Sequence, residues 1–454
     1  MRDLAFVAFL AALFGLGFRR PFLFVLAYVY IDIVAPQRLT YLLLNAIPIS
    51  LLAAGLAVAA FVAVDNKRDV RVAPRQALML VLLLYCWWST GRADFPVDAA
   101  FKWEWVWKAL AFAIFLPFTL RTKLRIEALL LFMVLSAASI VIVGGIKTIG
   151  SGGGYGELNL MVSNNAGLYE GSTISTVAIA IIPLILWFAK YGTIFVPDWR
   201  VRTFAGALVF SCLLIPIGTS TRTGLLCIGL LGVLMLRDAK RRLLFVTLAG
   251  AGALAALPFL PSAFTERMGT IGTYQADASA STRLAVWQWT LDYVGDHPFG
   301  GGFNAYLQNR IRYDKVAVVG SGNNQTVERN LEVDAGRAYH SAYFEMLGEQ
   351  GWPGLMLWLA INLGGVFRME VLRRRYARAE ADEAWVVPLA AALQNGHIVY
   401  LFGANFIAIA FQPFVYMLIG AQIGLDTYLT RRRRERAWRP LRTRPTPPDA
   451  APAA

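Results

Sequence analysis

The sequence predicts an all-α polytopic membrane protein, and three observations carry this prediction. Hydrophobic residues make up 57% of the 454 residues and charged residues 16%, with a mean hydropathy of +0.52. Apolar runs of membrane-spanning length recur along the chain, and short basic clusters separate them. Backbone groups in lipid need internal hydrogen bonds, and the runs are too long for barrel strands. The spans are therefore predicted to be helices.

The basic clusters set the predicted topology. They lie at residues 67–75, 121–125, 237–242, 373–378 and 431–436. The positive-inside rule assigns such clusters to the cytoplasm. The net charge of +14 therefore reflects membrane orientation, and its distribution argues against nucleic acid as a partner.

With these clusters in the cytoplasm, about twelve transmembrane helices are predicted. They lie near residues 22–36, 45–64, 76–90, 106–120, 126–148, 172–190, 203–218, 224–236, 243–260, 341–367, 385–404 and 411–429. The short apolar stretch 4–16 is a thirteenth, tilted helix, an interfacial segment or a signal-like start.

Four regions follow from this topology. The expected organisation is transmembrane helices with short loops over residues 1–260, a large outer loop over 261–340, C-terminal transmembrane helices over 341–430 and a disordered cytoplasmic tail over 431–454.

The outer loops carry the recognisable local patterns. The stretch 281–294 predicts an amphipathic helix capped by Ser281 in a mostly helical large loop. The polar stretch 320–334 predicts irregular structure. Residues 91–107 predict a loop with an interfacial tryptophan belt, and 151–172 is rich in Gly and Asn, as expected of a turn region or a mobile loop.

One arginine and one histidine lie at predicted outer ends of spans. Arg222, between two apolar runs, is costly near hydrocarbon, and such residues usually face a partner or a cavity; snorkelling to the interface is the alternative. His340 lies at the mouth of a span and has an ordinary pKa of about 6.5, so it can accept a proton near neutral pH; capping of the span is its alternative role. Arg283 could join Arg222 in binding a diphosphate, because guanidinium groups match phosphate oxygens; a surface helix charge is its alternative.

Other reactive residue types fit structural roles. His297 precedes a proline, where capping is expected, and His397 lies in an apolar helix, where packing or an interhelical hydrogen bond is expected. The three cysteines lie in apolar runs and are expected to be packing residues. No metal site and no cofactor are predicted, because the pair Glu332 and Asp334 supplies too few ligands for a hard cation.

Several motifs, taken in order, resemble a known family. The motifs are Ser220–Gly224, Ser281–Arg283 with Trp287, Asp296–Gly302, and His340–Tyr343 followed by Glu349–Gly351. Together they resemble the signature of the O-antigen ligase and polymerase superfamily over roughly residues 1–430. Met1–Leu4, Arg19–Phe22 and Pro36–Leu39 are similar to the branch of bacterial membrane O-glycosylation ligases, most like an O-antigen ligase, and Asn164–Asn165 also resembles that branch.

The resemblance implies a membrane-embedded glycosyltransferase of the GT-C type in the bacterial inner membrane. Its donor would be a glycan on undecaprenyl pyrophosphate, transferred to lipid A–core oligosaccharide at the periplasmic face, with inversion and without a metal. By motif, His340 resembles the catalytic histidine, and Arg222 and Arg283 resemble arginines that contact pyrophosphate. Arg38 is a further candidate for substrate binding, although Gln37 stands where a His is expected.

Three other functions stay open at this stage. The motifs fit an O-antigen polymerase or a protein O-oligosaccharyltransferase of the same superfamily equally well, because the donor chemistry is shared. A transporter of the same lipid-linked glycan could also place arginines inside the membrane. The long outer loop and the lack of a visible internal repeat argue against transport.

Overall fold

The computed structural model describes residues 2–40, 43–67, 70–151, 168–237, 278–319, 326–378 and 380–437, together with isolated residues between 242 and 260. The helices of the N-terminal half are α1 Arg2–Gly17, α2 Phe22–Val34, α3 Pro36–Leu39, α4 Ile49–Val64, α5 Pro74–Thr90, α6 Pro96–Thr119, α7 Lys123–Ser151, α8 Gly171–Tyr191, α9 Trp199–Gly218 and α10 Arg222–Leu236. The later elements are α11 Ala278–Asp296, β1 Arg310–Val319, β2 Thr326–Ala335, α12 Ala342–Arg375, α13 Val386–Gly403 and α14 Pro413–Ala437, with short 3₁₀ turns at Ala305–Gln308 and Ala381–Glu383.

The described residues contain five helices that are long and apolar enough to cross a membrane by length and composition. They are Lys123–Gly150, Gly171–Tyr191, Trp199–Gly218, Ala342–Arg375 and Ala381–Gly403. Shorter apolar helices are Asp3–Gly17, Phe22–Val34, Ile49–Val64 and Arg222–Leu236. A mostly helical membrane protein is thus supported, while the number of twelve spans stays a prediction. The predicted span 243–260, the tail after residue 437 and Asn164–Asn165 lie outside the continuously described segments.

The core lies where α8 packs between α9, α10 and α13. Small residues allow these helices to approach closely, as is usual between helices in membranes. A Cβ atom at Gly403 of α13 would lie 2.4 Å from the Thr176 side chain of α8, and a Cβ atom at Gly396 would lie 2.5 Å from the Ala180 carbonyl oxygen. Helix α8 is therefore fixed from several sides.

His397 confirms the expected interhelical role. It is fully buried in α13, where Nε2 lies 3.0 Å from Asn362 Oδ1 of α12 and Nδ1 lies 3.1 Å from Gln422 Nε2 of α14. The three cysteines are buried and unbridged, as predicted.

Three local predictions were wrong. Residues 326–335 form strand β2, which pairs antiparallel with β1 from Arg310 opposite Ala335 to Val319 opposite Thr326. The predicted loop 91–107 becomes helix at Pro96, so its tryptophans lie on α6; Trp103 stacks on Phe303. Helix α11 begins at Ala278, and Ser281 lies inside the helix rather than at its N-cap.

Candidate functional site

Arg222 is the first residue of α10, directly after a tight turn of three hydroxyl residues. Thr219, Ser220 and Thr221 are all buried, and Ser220 adopts a left-handed backbone with φ of 50°. The Thr219 and Thr221 hydroxyls each lie 2.9 Å from Ser175 Oγ on α8, and 3.2 Å from each other. We call Ser175 and Thr219–Thr221 the hydroxyl turn. Within it, the buried Ser175, Thr219 and Thr221 hydroxyls hydrogen-bond to one another instead of to water.

Close packing of helices explains why the motif Ser220–Gly224 ends in a glycine. A Cβ atom there would lie 2.6 Å from the Pro216 ring and 2.9 Å from Ser175 Cβ, so α10 can begin this close to α8 and α9 only with glycine. Gly218 similarly allows α9 to meet Thr148 of α7. Gly218 and Gly224 thus allow the close helix packing on either side of Arg222. The Arg222 side chain itself is half-buried at the helix start.

His340 occupies an unusual position just before α12. Its φ of 47° is a left-handed conformation that costs a non-glycine residue on the order of 1–3 kcal/mol. Its chain neighbours Tyr339 and Ser341 are buried, whereas His340 is exposed. The Trp287 indole nitrogen donates to the Tyr339 carbonyl at 2.9 Å, and the Ala342 amide donates to the Ala404 carbonyl at 2.8 Å. The anchored neighbours hold the strained backbone that turns the imidazole outward.

Three charged residues act on His340. Partial burial of the ring is the main cause that lowers the pKa of His340 below its ordinary value of 6.5, and the positive charges of Arg283 and Arg337 lower it further. Glu170 opposes them by raising it. We call Glu170, Arg283, Arg337 and His340 the histidine cluster. The net result favours a neutral imidazole at neutral pH, which is the form that can accept a proton.

Each member of the histidine cluster is positioned by a different element. Arg283 lies in α11, which is attached to α12 by the parallel stacking of Trp287 on Phe344, with ring centroids 4.8 Å apart. Arg337 follows β2, where its backbone carbonyl accepts from Asn309 Nδ2 at 2.7 Å and its amide donates to Asn309 Oδ1 at 2.9 Å. The buried Asn309 side chain thereby closes the base of the hairpin.

Glu170 connects the histidine cluster to the hydroxyl turn. It is the N-cap of α8, and its carboxylate accepts from the Thr173 amide at 2.6 Å and the Thr173 hydroxyl at 2.7 Å. Ser175 of the hydroxyl turn lies five residues further along α8, about 7.5 Å in helix rise. The first two turns of α8 thus bridge the surroundings of Arg222 and His340.

Arg38 lies on the exposed side of the short helix α3. The Tyr169 hydroxyl donates to the Val34 carbonyl at 2.5 Å, which ties the end of α2 to the residue preceding Glu170. The segment that carries Arg38 therefore lies beside the N-terminus of α8.

Two of the sequence motifs form a structural unit rather than a reactive surface. The Gly301 and Gly302 amides donate to the Gly348 and Glu349 carbonyls at 3.0 and 2.9 Å. Gly300 and Gly351 have positive φ, and a Cβ atom on Gly351 would lie 2.3 Å from the Pro298 carbonyl oxygen. The chain after α11 is therefore fastened to a break in α12.

Sequence reasoning missed a buried ion network beneath this unit, formed by Lys102, Glu345 and Glu349. Lys102 Nζ lies 2.6 Å from Glu345 Oε1 and 2.8 Å from both Glu349 carboxylate oxygens. The Asn304 amide donates to Glu349 at 3.0 Å and the Ala410 amide donates to Glu345 at 2.9 Å. A buried charged group needs such partners to offset the loss of water.

Glu170 and Arg337 were also missed as members of the site. Arg337 stands three residues before His340, and that spacing was a usable signal. Glu170 lies near the end of the Gly- and Asn-rich segment 151–172, and nothing in the sequence indicates which histidine it approaches.

Comparison with protein families gives two matches. Residues 206–359 match the model of a family described as O-antigen ligase, and residues 1–193 match a family of unknown function (DUF5935). The first match contains Arg222, Arg283, Arg337 and His340, while Glu170 and Arg38 fall within the second. No curated protein matches the chain.

Proposed function

We propose that this chain, a member of the O-antigen ligase superfamily through residues 206–359, transfers a glycan from undecaprenyl pyrophosphate to the lipid A–core oligosaccharide at the periplasmic face of the bacterial inner membrane. The observation that carries the proposal is the exposed, strained His340, which lies in the electrostatic field of Arg283 and Arg337 and is kept neutral by its surroundings. A neutral base beside fixed positive charge suits transfer from a diphosphate.

The proposed reaction is a single displacement with inversion. The acceptor hydroxyl oxygen forms a bond to the anomeric carbon of the donor sugar while the bond from that carbon to the phosphate oxygen breaks. The hydroxyl proton goes to His340, and undecaprenyl pyrophosphate departs with the bonding electron pair. His340 thus acts as the general base, or orients the hydroxyl whose proton it receives.

Arg222 and Arg283 are proposed to hold the pyrophosphate. A guanidinium group stays charged and offers paired donors to phosphate oxygens, so it stabilises the negative charge that grows on the leaving group. Arg222 lies at the N-terminus of α10, where the helix dipole adds a partial positive charge. Arg337 is proposed to contribute further positive charge. Arg38 is proposed as a peripheral residue for substrate binding.

The architecture is compatible with a GT-C type enzyme whose lipid donor approaches from the membrane. Arg222 begins an apolar helix and has an apolar helix before it, so its guanidinium stands at the edge of the apolar layer. The polar hairpin β1–β2 and α11 lie on the same end of the molecule as His340. They would cover donor and acceptor and hold them in line.

The decisive experiment offers one defined lipid-linked glycan to the purified, reconstituted chain together with three acceptors in separate reactions. These are lipid A–core oligosaccharide, a second copy of the lipid-linked glycan, and a pilin-like protein. Product analysis by mass spectrometry is expected to show transfer to lipid A–core. Chain lengthening or protein modification instead would identify a polymerase or an oligosaccharyltransferase.

Donor consumption in detergent separates the proposal from transport. Chemistry releases undecaprenyl pyrophosphate without any membrane compartment, whereas transport requires two compartments. A chain that leaves the donor intact with every acceptor in detergent, and that moves it across vesicle membranes, would be a transporter.

A further inference from the structure

A large basic cavity lies at the opposite end of the molecule from His340. Its volume is about 820 Å³, and it is formed by the segment leading into α5, the C-terminal end of α6 and the last turns of α14. Its charged lining residues are Arg71, Arg121, Arg431, Arg434, Asp426 and Glu435. Four arginines and two acidic residues thus line it, and Arg431 Nη2 donates to the Arg121 carbonyl. We call this the basic cavity.

The excess of positive charge is larger than this comparison suggests. Asp426 is already paired with Arg368 of α12, through two hydrogen bonds of 2.8 and 2.9 Å to its two oxygens. Its charge is therefore largely neutralised by a residue that does not line the cavity. An anion is the natural occupant of a cavity with this balance.

The other part of the lining is apolar. Val70, Val72, Pro117 and Phe118 line the same cavity as the arginines. Gln76 also lines it but is committed elsewhere, because its side chain donates to the Ile114 carbonyl at 2.8 Å and accepts from the Ala73 amide at 2.8 Å. A free phosphate ion would leave the apolar wall unused, whereas a molecule with a phosphate and an acyl chain would contact both parts.

The position of the cavity suits a membrane lipid. It lies at the Arg368 end of α12, and roughly 40 Å of helical rise, interrupted by the break at Gly351, separates that end from Ala342 beside His340. The basic clusters assign this end to the cytoplasmic side, where the anionic lipids of a membrane attract arginine. Basic pockets between helices at this level bind phospholipid head groups.

The terminal segment of the chain itself is a poor occupant on grounds of charge. Residues 438–454 contain three arginines, at positions 439, 442 and 444, and one acidic residue, Asp449. Like charges repel, so a basic segment gains nothing from a basic cavity.

We infer that the basic cavity is a binding site for the head group of an anionic phospholipid, with the phosphate held by Arg71 and Arg434 and the acyl chains against Val72 and Phe118. Both arginines are exposed, so they can reach a ligand that enters from the membrane surface. This site is separate from the proposed glycan-transfer site and does not depend on it.

The test uses the full chain in nanodiscs made from phosphatidylglycerol and phosphatidylcholine, followed by native mass spectrometry after detergent release. We expect retention of phosphatidylglycerol in preference to phosphatidylcholine. The double variant Arg71→Gln/Arg434→Gln is expected to bind it roughly 30-fold more weakly, from the loss of two arginines near the membrane surface. Equal retention of both lipids, or equal retention by variant and wild type, overturns the inference.

The matched control is Arg200→Gln/Arg202→Gln, which removes two exposed arginines at the start of α9 outside the cavity. It is expected to retain phosphatidylglycerol as the wild type does. A loss as large as that of the cavity variant would reduce the effect to overall charge and overturn the site.

Two measurements on the wild type do not depend on the folding of a variant. A photo-activatable phosphatidylglycerol is expected to label residues within 70–76, 117–121 or 426–435, and labelling confined to other segments contradicts the site. Inorganic phosphate at 10 mM would fill most of a weak anion site with a Kd of about 1 mM. It is expected to leave the lipid bound. Complete displacement would identify a site for soluble anions instead.

Discussion

His340 and Glu349 are nine residues apart in the chain, yet their surroundings are opposite. His340 is accessible and strained, and partial burial of its ring, followed by the charges of Arg283 and Arg337, lowers its pKa. Glu349 is fully buried and paired with Lys102 in the buried ion network. The first region places an accessible, titratable ring among charged residues, whereas the second encloses its charges in mutual ion pairs. Motifs that occur together in one sequence signature can therefore have different tasks.

This division gives variants of the two regions different expected phenotypes. Changes in the histidine cluster should reduce transfer and leave the folded protein intact. Changes in the buried ion network should destabilise the fold, and the activity that remains should scale with the folded fraction. Four variants, from the largest expected effect to the smallest, can test this division.

The largest effect is expected for His340→Ala. Loss of a general base lowers turnover by about 10²–10⁴-fold. Alanine keeps the Cβ atom and therefore the same backbone strain, so stability should change little. The measurement is the rate of product formation, with membrane expression and thermal unfolding as parallel readouts. His297→Ala is the matched control, because His297 is an exposed histidine stacked on Tyr293 at the end of α11. Full activity of His340→Ala would remove His340 from the mechanism.

The next effect is expected for Lys102→Met. It leaves Glu345 and Glu349 buried without their cation, which costs about 3–5 kcal/mol of unfolding free energy. Titration with a denaturing detergent measures this loss. Lys190→Met, which changes an exposed lysine at the end of α8, is expected to stay within about 0.5 kcal/mol of wild type. A stable Lys102→Met protein with greatly reduced turnover would move the buried ion network from scaffold to chemistry.

A smaller effect is expected for Arg222→Lys. Lysine keeps the charge but loses the paired donors, so turnover should fall by about tenfold, the value of roughly one charge-assisted hydrogen bond. Arg200→Lys, at an exposed arginine beside Trp199, serves as the control. Wild-type turnover in Arg222→Lys would show that two-point binding of phosphate plays no part.

The smallest and most specific effect concerns pH. Because burial and the nearby arginines lower the pKa of His340, the neutral base should persist below pH 6.5, and the acid limb of turnover should lie under that value. Arg283→Gln removes one of the charges that lower the pKa, so the acid limb should move to higher pH. A pH–rate profile in a set of overlapping buffers measures both. A limb that shifts to lower pH in Arg283→Gln would contradict the proximity of the two groups.

The sequence predicted the local parts of the fold well, because apolar runs determine helices directly. The ends of α8 and α13, for instance, lie within one residue of their predicted bounds. Strand β1 also carried a usable signal: Arg310, Ile311, Arg312 and Tyr313 alternate polar and apolar residues, as a strand does. The partner β2 is rich in charged and polar residues, and its structure depends on pairing with β1.

The site was predictable only in part, because many of its contacts join residues that are far apart in the chain. His340 and Arg222 stand out because each is polar at the end of an apolar run. The contacts of Lys102 with Glu345 and Glu349 span 243 and 247 residues, and no local pattern indicates which lysine meets which glutamate. The hydroxyl turn likewise joins Ser175 to Thr219 across 44 residues.

The clamp formed by Asn309 has a consequence for how this kind of molecule can diversify. The Asn309 side chain closes the hairpin at its base, and the next residues are also held, Ile311 against Val286 and Tyr339, and Asp334 by its ion pair with Arg337. The part of the hairpin beyond the Arg312–Val333 pair is therefore the arm that could vary. Lengthening, shortening or exchanging the arm should leave the imidazole undisturbed. A different arm on the same helical scaffold would then select a different acceptor, in nature or by design.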